Sequence, residues 1–340
     1  MLRMLYIVCS PLQALNAIEA AYRFNINGVN DLIICKSKEN NNNKQLNEVI
    51  KTATWNCVTF LSNIPLIRLM QLFWFFKKLK NNKYDNIFIG EPFSDILARY
   101  GELISYNKNV IYMDDGLSTL IFVRNVNEAT LSSEKNKSKA SYFKGQKNNY
   151  QFFSAFSKAF ANVEGIKLIA ENDYRRTRYL KSLLDKKIIK QKKAYIIGDN
   201  LVESGMCDFH KYLKLIKKLI ASIEDSYDIV YLPHRRESSK NYQQLCALCG
   251  IKAMVMNKPI EIEFLQYNLI ECIFFGFQST ALVTMPMLYP EVKFKICRYP
   301  SEINFESQVF NRELSTKIEY FKNINCPNIT IIDLCKDKEK

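Results

Sequence analysis

Short apolar runs alternate with amphipathic stretches along most of the chain. Runs rich in β-branched and aromatic residues predict strands at 5–9, 31–35, around 59, 86–90 and 110–113. The stretches between them have helical spacing and predict helices at 11–24, 44–52, 65–80 and 93–105. This alternation of strand and helix is typical of a doubly wound, mostly parallel sheet.

Two polar segments interrupt the pattern, at 39–43 and 123–150, and both predict surface loops. The alternation then resumes, with strands predicted at 167–170, 194–197, 228–232, 252–256, 272–275, 293–297 and 329–332. The predicted helices between them lie at 174–185, 207–222, 239–248, 260–268, 279–288 and 310–322. We therefore expect an α/β protein with two Rossmann-like domains, 1–165 and 166–340, facing a cleft.

Composition narrows the class of partner. The chain has 340 residues, of which 48% are apolar, and its net charge is +14. A basic surface suits nucleic acid, an anionic membrane or an anionic small substrate. Because no nucleic-acid-binding signature accompanies the charge, nucleic acid is not the expected partner.

The cysteines indicate a reducing compartment. Most of the ten lie singly within apolar runs, as buried free thiols do. Cys246 and Cys249 have the spacing of a metal pair, but no second pair follows, so no metal site is predicted. The N-terminal run is interrupted by Pro11 and Gln13 and does not resemble a secretory signal. We expect a cytoplasmic protein.

One segment suggests a membrane surface. Residues 64–76 are largely apolar and aromatic, and Lys77, Lys78 and Lys80 follow them. The run is too short and interrupted to span a bilayer. An ordinary packed helix with a solvated end is the favoured interpretation, and peripheral contact with an anionic inner membrane is the alternative.

The first candidate for chemistry is Asp114-Asp115-Gly116, directly after the predicted strand 110–113. In open α/β sheets, ligands bind where strands end in this way. Adjacent carboxylates repel, so one of them can have a raised pKa suited to proton transfer. A solvated turn is the alternative interpretation of this motif alone.

Further candidates follow later strands in the same way. His234, flanked by Pro233 and Arg235, comes after strand 228–232, and this cluster suits a phosphate. A structural or merely exposed histidine is the alternative.

Two glycine turns complete the set. After the strand 272–275 and Gly276, Ser279 and Thr280 open a helix, where hydroxyls and free backbone N–H groups either bind an anion or simply cap the helix. Gly198 and Asn200, after strand 194–197, either approach a nucleotide or form an ordinary turn.

These motifs, in this order, resemble those of bacterial sialyltransferases with the GT-B glycosyltransferase architecture. That group includes lipooligosaccharide sialyltransferases and polysialyltransferases, whose motifs are D/E-D/E-G, then H-P, then S-S/T. The resemblance covers residues 110–285, with Asp114-Asp115-Gly116, His234 and Ser279-Thr280. Arg235 stands where the family has proline. The opening turn at Ser10, Pro11 and Gln13 also looks like the first loop of such enzymes, which faces the acceptor.

The resemblance implies a reaction. It is inverting transfer of sialic acid, or a related nonulosonic acid, from a CMP-sugar donor to a sugar hydroxyl. The acceptor would be a bacterial surface glycan of lipooligosaccharide, O-antigen or capsule, in some cases lipid-linked. Such enzymes need no metal for chemistry and no other cofactor.

The implied roles fall into three groups. The general base is Asp115, with Asp114 as second choice, and His234 stabilises the departing phosphate. The implied donor-binding residues are His234, Arg235, Gly276, Ser279, Thr280, Gly198 and Asn200. The implied acceptor-binding residues are Ser10, Pro11, Gln13 and Gly116.

Two alternatives remain open. Another GT-B transferase would use CMP-Kdo or a UDP- or GDP-sugar, and donor assays would distinguish it. A basic polyanion-binding protein without catalysis would instead show salt-sensitive binding and no turnover.

Overall fold

The computed structural model describes residues 1–64, 66–68, 70–71, 84–90, 109–131, 150–189, 192–299, 308–324 and 326–334. The chain divides into two compact units, Met1–Arg176 and Thr177–Lys340. This boundary falls later than the one predicted after residue 165, because the strand Ile166–Glu171 pairs with the first sheet.

The first unit is built on a seven-stranded parallel sheet. Its strands are β1 (Arg3–Val8), β2 (Val29–Cys35), β3 (Cys57–Leu61), β4 (Asn86–Ile89), β5 (Asn109–Met113), β6 (Tyr150–Ser154) and β7 (Ile166–Glu171). Its helices are α1 (Pro11–Phe24), α2 (Asn40–Ile50), α3 (Ser118–Leu131) and the start of α4 (Arg175–Leu183), with a 3-10 turn at Ser157–Phe160. The strand order is β3-β2-β1-β4-β5-β6-β7, and Leu5 of β1 lies opposite Asp31 of β2 and Ile87 of β4.

The second unit repeats the plan with a six-stranded parallel sheet, and two further short strands form a separate pair. Its strands are β8 (Lys187–Ile188), β9 (Lys193–Ile197), β10 (Asp228–Leu232), β11 (Lys252–Ala253), β12 (Tyr267–Asn268), β13 (Cys272–Gly276), β14 (Lys293–Arg298) and β15 (Ile329–Asp333). Its helices are α5 (Phe209–Ala221), α6 (Ser239–Cys249), α7 (Ile260–Glu263), α8 (Ala281–Leu288) and α9 (Gln308–Asn323). The order is β11-β10-β9-β13-β14-β15, while β8 and β12 form a separate pair.

Both sheets have a strand near the middle where the winding reverses. β1 lies between β2 and β4, and β9 lies between β10 and β13. Connections leave the two sides of such a strand toward opposite faces of the sheet, which opens a crevice at its carboxyl end. The residues that follow β1, β4, β9 and β13 therefore line the two positions where ligands are expected.

Several predicted elements need correction. α2 begins at Asn40 inside the predicted loop 39–43, and Asn43 is hydrogen-bonded to Ser37. α3 extends to Leu131, although residues from 123 onward were predicted as loop. Its buried residues Leu120, Val123 and Val126 recur at helical spacing, a signal masked by the polar residues between them.

Other corrections concern short elements. β6 was not predicted at all, because Tyr150–Ser154 joins directly to a polar stretch. The predicted helix 260–268 is only α7, a 3-10 turn over Phe264–Gln266, and β12. The predicted strand 252–256 is reduced to β11.

Some predictions fall outside the described residues. These are the helices at 93–105 and, for the most part, at 65–80, together with most of the 64–76 segment considered for membrane contact. Of that segment's described residues, Ile64, Leu66 and Met70 are exposed. In the part of the chain that the structure describes, no helix combines the length and apolar character that crossing a bilayer requires.

The core of the second unit contains a ladder of aromatic rings across three neighbouring strands. Phe274 of β13 stacks on Tyr195 of β9 at 4.9 Å and on Phe294 of β14 at 5.3 Å between ring centroids. The three residues lie opposite one another in the sheet register, and all are buried. Such pairs add to the free energy gained by burial alone.

We expect Phe274→Ala to lower the free energy of unfolding of the second unit by about 3–5 kcal/mol, because it leaves a cavity inside this ladder. Urea denaturation would measure the change. Leu248→Ala is the matched control, since Leu248 is 50% exposed on α6 and should change stability by less than about 0.5 kcal/mol. A similar loss for both variants would mean that the ladder has no special weight in the core.

Candidate active site

Asp114 and Asp115 follow β5 directly, and their side chains have different environments. Asp114 is buried, and its carboxylate accepts hydrogen bonds from Ser154 Oγ at 2.5 Å and Ala155 N at 2.7 Å. Burial raises the pKa of Asp114 to about 7, although these hydrogen bonds and one from Thr119 act in the opposite direction. Asp114 therefore joins the ends of the neighbouring strands β5 and β6.

Asp115 is only half-buried and is held from two sides. Its backbone N–H donates to Thr119 Oγ1 at 3.1 Å, and its Oδ1 accepts from Gln13 Nε2 at 2.7 Å. Gly116 then turns the chain with a φ of 63°. Of the two carboxylates, Asp115 is the one whose surroundings suit contact with a substrate.

The turn between β1 and α1 reaches this carboxylate pair through α1. Ser10 is the N-cap of α1, and its Oγ accepts from Gln13 N at 3.3 Å, while Pro11 occupies the start of the helix. One turn farther on, Asn16 Nδ2 donates to Asp114 O at 3.0 Å. The first unit thus brings Gln13 to Asp115, whereas Ser10 and Pro11 shape the start of α1. Their predicted acceptor-binding role remains a prediction.

In the second unit, the predicted residues lie at the carboxyl ends of three adjacent strands. His234 and Arg235 follow β10, Gly198 and Asn200 follow β9, and Gly276 ends β13. Ser279 and Thr280 lie between β13 and α8. Sequence motifs far apart along the chain are therefore gathered at one edge of the sheet, beside the β9–β13 crevice.

The imidazole of His234 is half-buried and its tautomer is fixed by the backbone. Arg236 N donates to His234 Nδ1 at 3.2 Å, so the proton of the neutral ring is on Nε2. Burial, together with the charges of Arg235 and Arg236, lowers the pKa of His234 to about 3. At neutral pH, His234 is therefore a neutral donor through Nε2–H.

A series of hydrogen bonds fixes the backbone of this histidine. Glu237 accepts from His234 N at 2.5 Å through Oε2 and from Tyr231 OH at 2.7 Å through Oε1. Tyr231 OH lies 2.9 Å from Tyr212 OH, which accepts from Asp199 N at 2.9 Å. Burial raises the pKa of Glu237 to about 8. This series of hydrogen bonds links the turn after β10 to the turn after β9.

These hydrogen bonds require a glycine at position 198. A Cβ at Gly198 would lie 2.4 Å from Glu237 Oε2 and 2.5 Å from Tyr231 OH, closer than real Cβ contacts. Any larger residue would displace the carboxylate that holds His234. Gly198 thus has a structural role here, and its predicted contact with a donor stays a prediction.

The turn before α8 is connected to the same cluster. Gln278 Nε2 donates to Tyr299 OH at 3.1 Å, and Tyr299 OH donates to Asp199 at 3.2 Å. Ser279 Oγ accepts from Ala281 N at 3.3 Å, so it caps the first turn of α8. Ser279 and Thr280 are both half-exposed, which leaves their hydroxyl groups within reach of a ligand.

Arg235 is half-buried beside a second buried carboxyl group. Glu261 accepts from Thr284 Oγ1 at 2.6 Å, one helical turn after Thr280. Burial raises the pKa of Glu261, and the hydrogen bond from Thr284 and the charge of Arg235 act in the opposite direction. Arg235 is therefore close enough to Glu261 for its charge to act on that carboxyl group.

Glu237, Tyr231, Tyr299 and Thr119 were not predicted as site residues. Glu237 is close in sequence to His234, and a carboxylate three residues after the histidine is a signal that could have been used. Tyr231 and Tyr299 had no such signal, because the sequence alone does not distinguish a tyrosine that packs in the core from one whose hydroxyl group makes a buried hydrogen bond.

Within the described ranges, no three His, Cys, Asp or Glu side chains are grouped so as to hold a metal ion. The described cysteines, Cys246 and Cys249 among them, are free thiols.

Solved structures with the same architecture place the protein in a class. The MnaA–UDP complex of S. aureus aligns with a TM-score of 0.57 at 11% identity, covering 99% of this chain and 85% of that chain. The UDP-GlcNAc 2-epimerase of Methanocaldococcus jannaschii aligns with a TM-score of 0.53 at 13% identity, covering 98% and 89%. At such identities the likeness shows the fold alone, which is the two-domain α/β fold of the GT-B class. No curated protein matches the chain.

The family follows from the sequence as a whole. The chain belongs to the alpha-2,8-polysialyltransferase (POLYST) family, whose model matches residues 4–298. The resemblance to bacterial polysialyltransferases is thereby confirmed, and it extends well beyond the motifs that first indicated it. The protein is a glycosyltransferase, and its family implies a nucleotide-sugar donor and a glycan acceptor.

We expect the imidazole of His234 to remain neutral, with its proton on Nε2, from pH 8 down to about pH 5, since its pKa is about 3. Nitrogen-15 NMR of the histidine side chains measures protonation and tautomer directly. The chain has only two histidines, so His210→Gln leaves His234 as the sole imidazole signal. A midpoint near 6.5, or a proton on Nδ1, would contradict the geometry described above.

Proposed function

We propose that the protein transfers sialic acid, or a related nonulosonic acid, from a CMP-activated donor to a sugar hydroxyl of a bacterial surface glycan, with inversion at the anomeric carbon. The observation that carries the proposal is the contrast between the two units. The first presents a half-exposed carboxylate, Asp115, at the end of β5. The second presents neutral hydrogen-bond donors, which are His234 after β10 and the hydroxyl groups of Ser279 and Thr280 after β13.

Asp115 is the proposed general base. The acceptor O–H bond breaks as its oxygen attacks the anomeric carbon, and the proton moves to the Asp115 carboxylate. Asp114 fits this role less well, because its oxygens already accept from Ser154 and Ala155 and its side chain is buried. The geometry therefore supports Asp115 over Asp114.

The second unit would hold the departing nucleotide. As the bond from the anomeric carbon to the phosphate oxygen breaks, its electron pair passes to the phosphate, and negative charge grows there. His234 Nε2–H and the hydroxyls of Ser279 and Thr280 would donate to that phosphate, and the Arg235 guanidinium would add positive charge. The chemistry proposed here uses side chains of this protein and no metal.

A neutral histidine suits this task. A hydrogen bond from Nε2–H stabilises a phosphate in both the ground state and the transition state, and it grows stronger as charge accumulates on the oxygen. His234 would keep this proton throughout, because its Nδ1 accepts from Arg236 N and the ring carries no second proton to give; the phosphate would therefore leave as an anion.

The surplus of basic residues fits an anionic donor and an anionic surface. A net charge of +14 raises the local concentration of a CMP-sugar near the protein. We further propose that the acceptor is lipid-linked in at least some cases, and that the protein works at the cytoplasmic face of the inner membrane through peripheral contact.

Asp115→Asn should abolish transfer, with less than about 1% of the original kcat remaining, because the amide cannot accept the acceptor proton. The assay follows CMP release from CMP-sialic acid in the presence of a sialylated acceptor, and NMR of the first product reports its anomeric configuration. Asp225→Asn is the control, since this carboxylate is exposed in the turn between α5 and β10. Retained anomeric configuration, or near-normal kcat for Asp115→Asn, would contradict the proposed mechanism.

The same assay distinguishes the alternatives. A CMP-Kdo, UDP-sugar or GDP-sugar transferase would turn over one of those donors in place of CMP-sialic acid. A polyanion-binding protein would turn over none and would bind polysialic acid in a salt-sensitive way.

His234→Ala should lower kcat by about 10²–10³-fold, the usual effect of removing one hydrogen-bond donor to developing negative charge. Ser279→Ala should cost less, since it removes one hydroxyl among several contacts to the phosphate. His210→Ala is the matched control, because His210 is exposed on α5. Equally small effects of His234→Ala and His210→Ala would exclude His234 from the site.

A further inference from the structure

We propose that Gln13 is a positioning residue for Asp115, whose amide orients the carboxylate and favours its charged form. This inference rests on the proposed function and assigns Gln13 a role other than contact with the acceptor. The carrying observation is the hydrogen bond from Gln13 Nε2 to Asp115 Oδ1, at 2.7 Å. The two residues are far apart in sequence and meet because β1 and β5 flank β4 in the sheet.

The orientation of the Gln13 amide is set by its other end. Gln13 Oε1 accepts from Cys9 N at 2.8 Å, and Cys9 Sγ lies 3.2 Å from the same oxygen. A backbone N–H needs an acceptor, so Oε1 must face Cys9 and Nε2 must face Asp115. The flip of the amide is therefore determined by the backbone at the end of β1.

The space around this side chain is also restricted. Gln13 is 1% exposed, which leaves no room for the wide contact with a glycan that an acceptor-binding residue would make. Gly90 directly follows β4 and packs against Gln13, and a Cβ there would lie 2.4 Å from Gln13 Oε1 and 2.7 Å from its Cδ. The glycine backbone is itself fixed, since Gly90 N donates to Ile7 O at 2.9 Å. Gln13 is thus held between β1 and β4 in one conformation.

The chemical consequence follows from the direction of the hydrogen bond. An amide N–H stabilises a carboxylate in its charged form and does so less for the acid. It also restricts rotation of the carboxylate about its Cβ–Cγ bond, which keeps an oxygen aimed at one position in space. A base that is ionised and aimed in advance requires less rearrangement when the acceptor binds.

Two variants test the role in the full-length protein. Gln13→Met keeps the length of the side chain and removes both hydrogen bonds. Gln13→Glu replaces the donor with a negative charge beside Asp115. We expect Gln13→Met to lower kcat by about 10- to 100-fold, the value of one hydrogen bond to a charged group, with the KM for the acceptor nearly unchanged. Gln13→Glu should lower kcat further and move the acid limb of the pH profile to higher pH.

The matched control is Gln71→Met. Gln71 Oε1 also accepts from a backbone N–H, that of Ser62 at 2.7 Å, so its hydrogen bond is to the residue after β3 and not to Asp115. It should leave kcat within about twofold of the original. Because Gln13→Met could lower folding stability, thermal unfolding of each variant is measured alongside, and Gly90→Ala provides a second route. The added methyl group displaces Gln13 without removing it, and should reproduce the loss of kcat.

A double-variant comparison decides between positioning and direct contact. If Gln13 acts through Asp115, Gln13→Met should cause no further loss in the Asp115→Asn background. A full additional loss in that background, or a raised acceptor KM with kcat unchanged, would overturn the proposal.

One measurement is independent of the reaction. Carbon-13 NMR of the aspartate carboxyl groups, with Asp115→Asn to assign the signal, should show that Gln13→Met moves the titration of Asp115 to higher pH. If the protein turned over no CMP-sugar while this shift were present, the proposed function would be wrong and the positioning role would stand. An unchanged titration, with activity present, would overturn the positioning role alone.

Discussion

Backbone N–H groups at the ends of buried parallel strands need hydrogen-bond acceptors, and in both units side chains supply them. Cys9 N donates to Gln13, Ala155 N to Asp114, and His234 N to Glu237. An unsatisfied N–H in such a place would cost about 1–3 kcal/mol. Each of these side chains therefore has a structural role, because it stabilises the fold.

The same side chains also set the positions of the candidate chemical groups. Gln13 accepts from the end of β1 and donates to Asp115. Glu237 accepts a hydrogen bond from the backbone N–H of His234 and so fixes the backbone at that residue. Because these contacts lie at the ends of strands, the placement of Asp115 and His234, the candidate base and the candidate phosphate-binding group, is determined by the sheets of their units. This arrangement suits a reaction that depends on orientation.

The sequence was informative about the strands and about which residues the strand ends bring together, for one physical reason. Strands buried on both faces are nearly continuous apolar runs, so β1, β10 and β13 could be predicted closely, and α1 was predicted with its N-cap. Polar residues directly after such runs, as at Asp115, His234 and Ser279, then indicated the edge of each sheet where ligands are expected. Short or polar elements such as β6, β11 and the start of α2 lacked that contrast and were missed or misplaced. The partners within the site could not be predicted, since contacts such as Gln13 to Asp115 join distant residues and leave no local pattern.

The tyrosines in the hydrogen-bonded cluster next to His234 give the second unit its own optical signal. Both tryptophans, Trp55 and Trp74, lie in the first half of the chain, so ultraviolet absorption of the second unit comes mainly from tyrosine. Burial keeps the pKa of Tyr212, Tyr231 and Tyr299 well above the ordinary value. In alkaline difference spectra these rings would ionise after the exposed tyrosines, as a separate late phase. A change in the hydrogen bonding around His234 would perturb these chromophores without any added label.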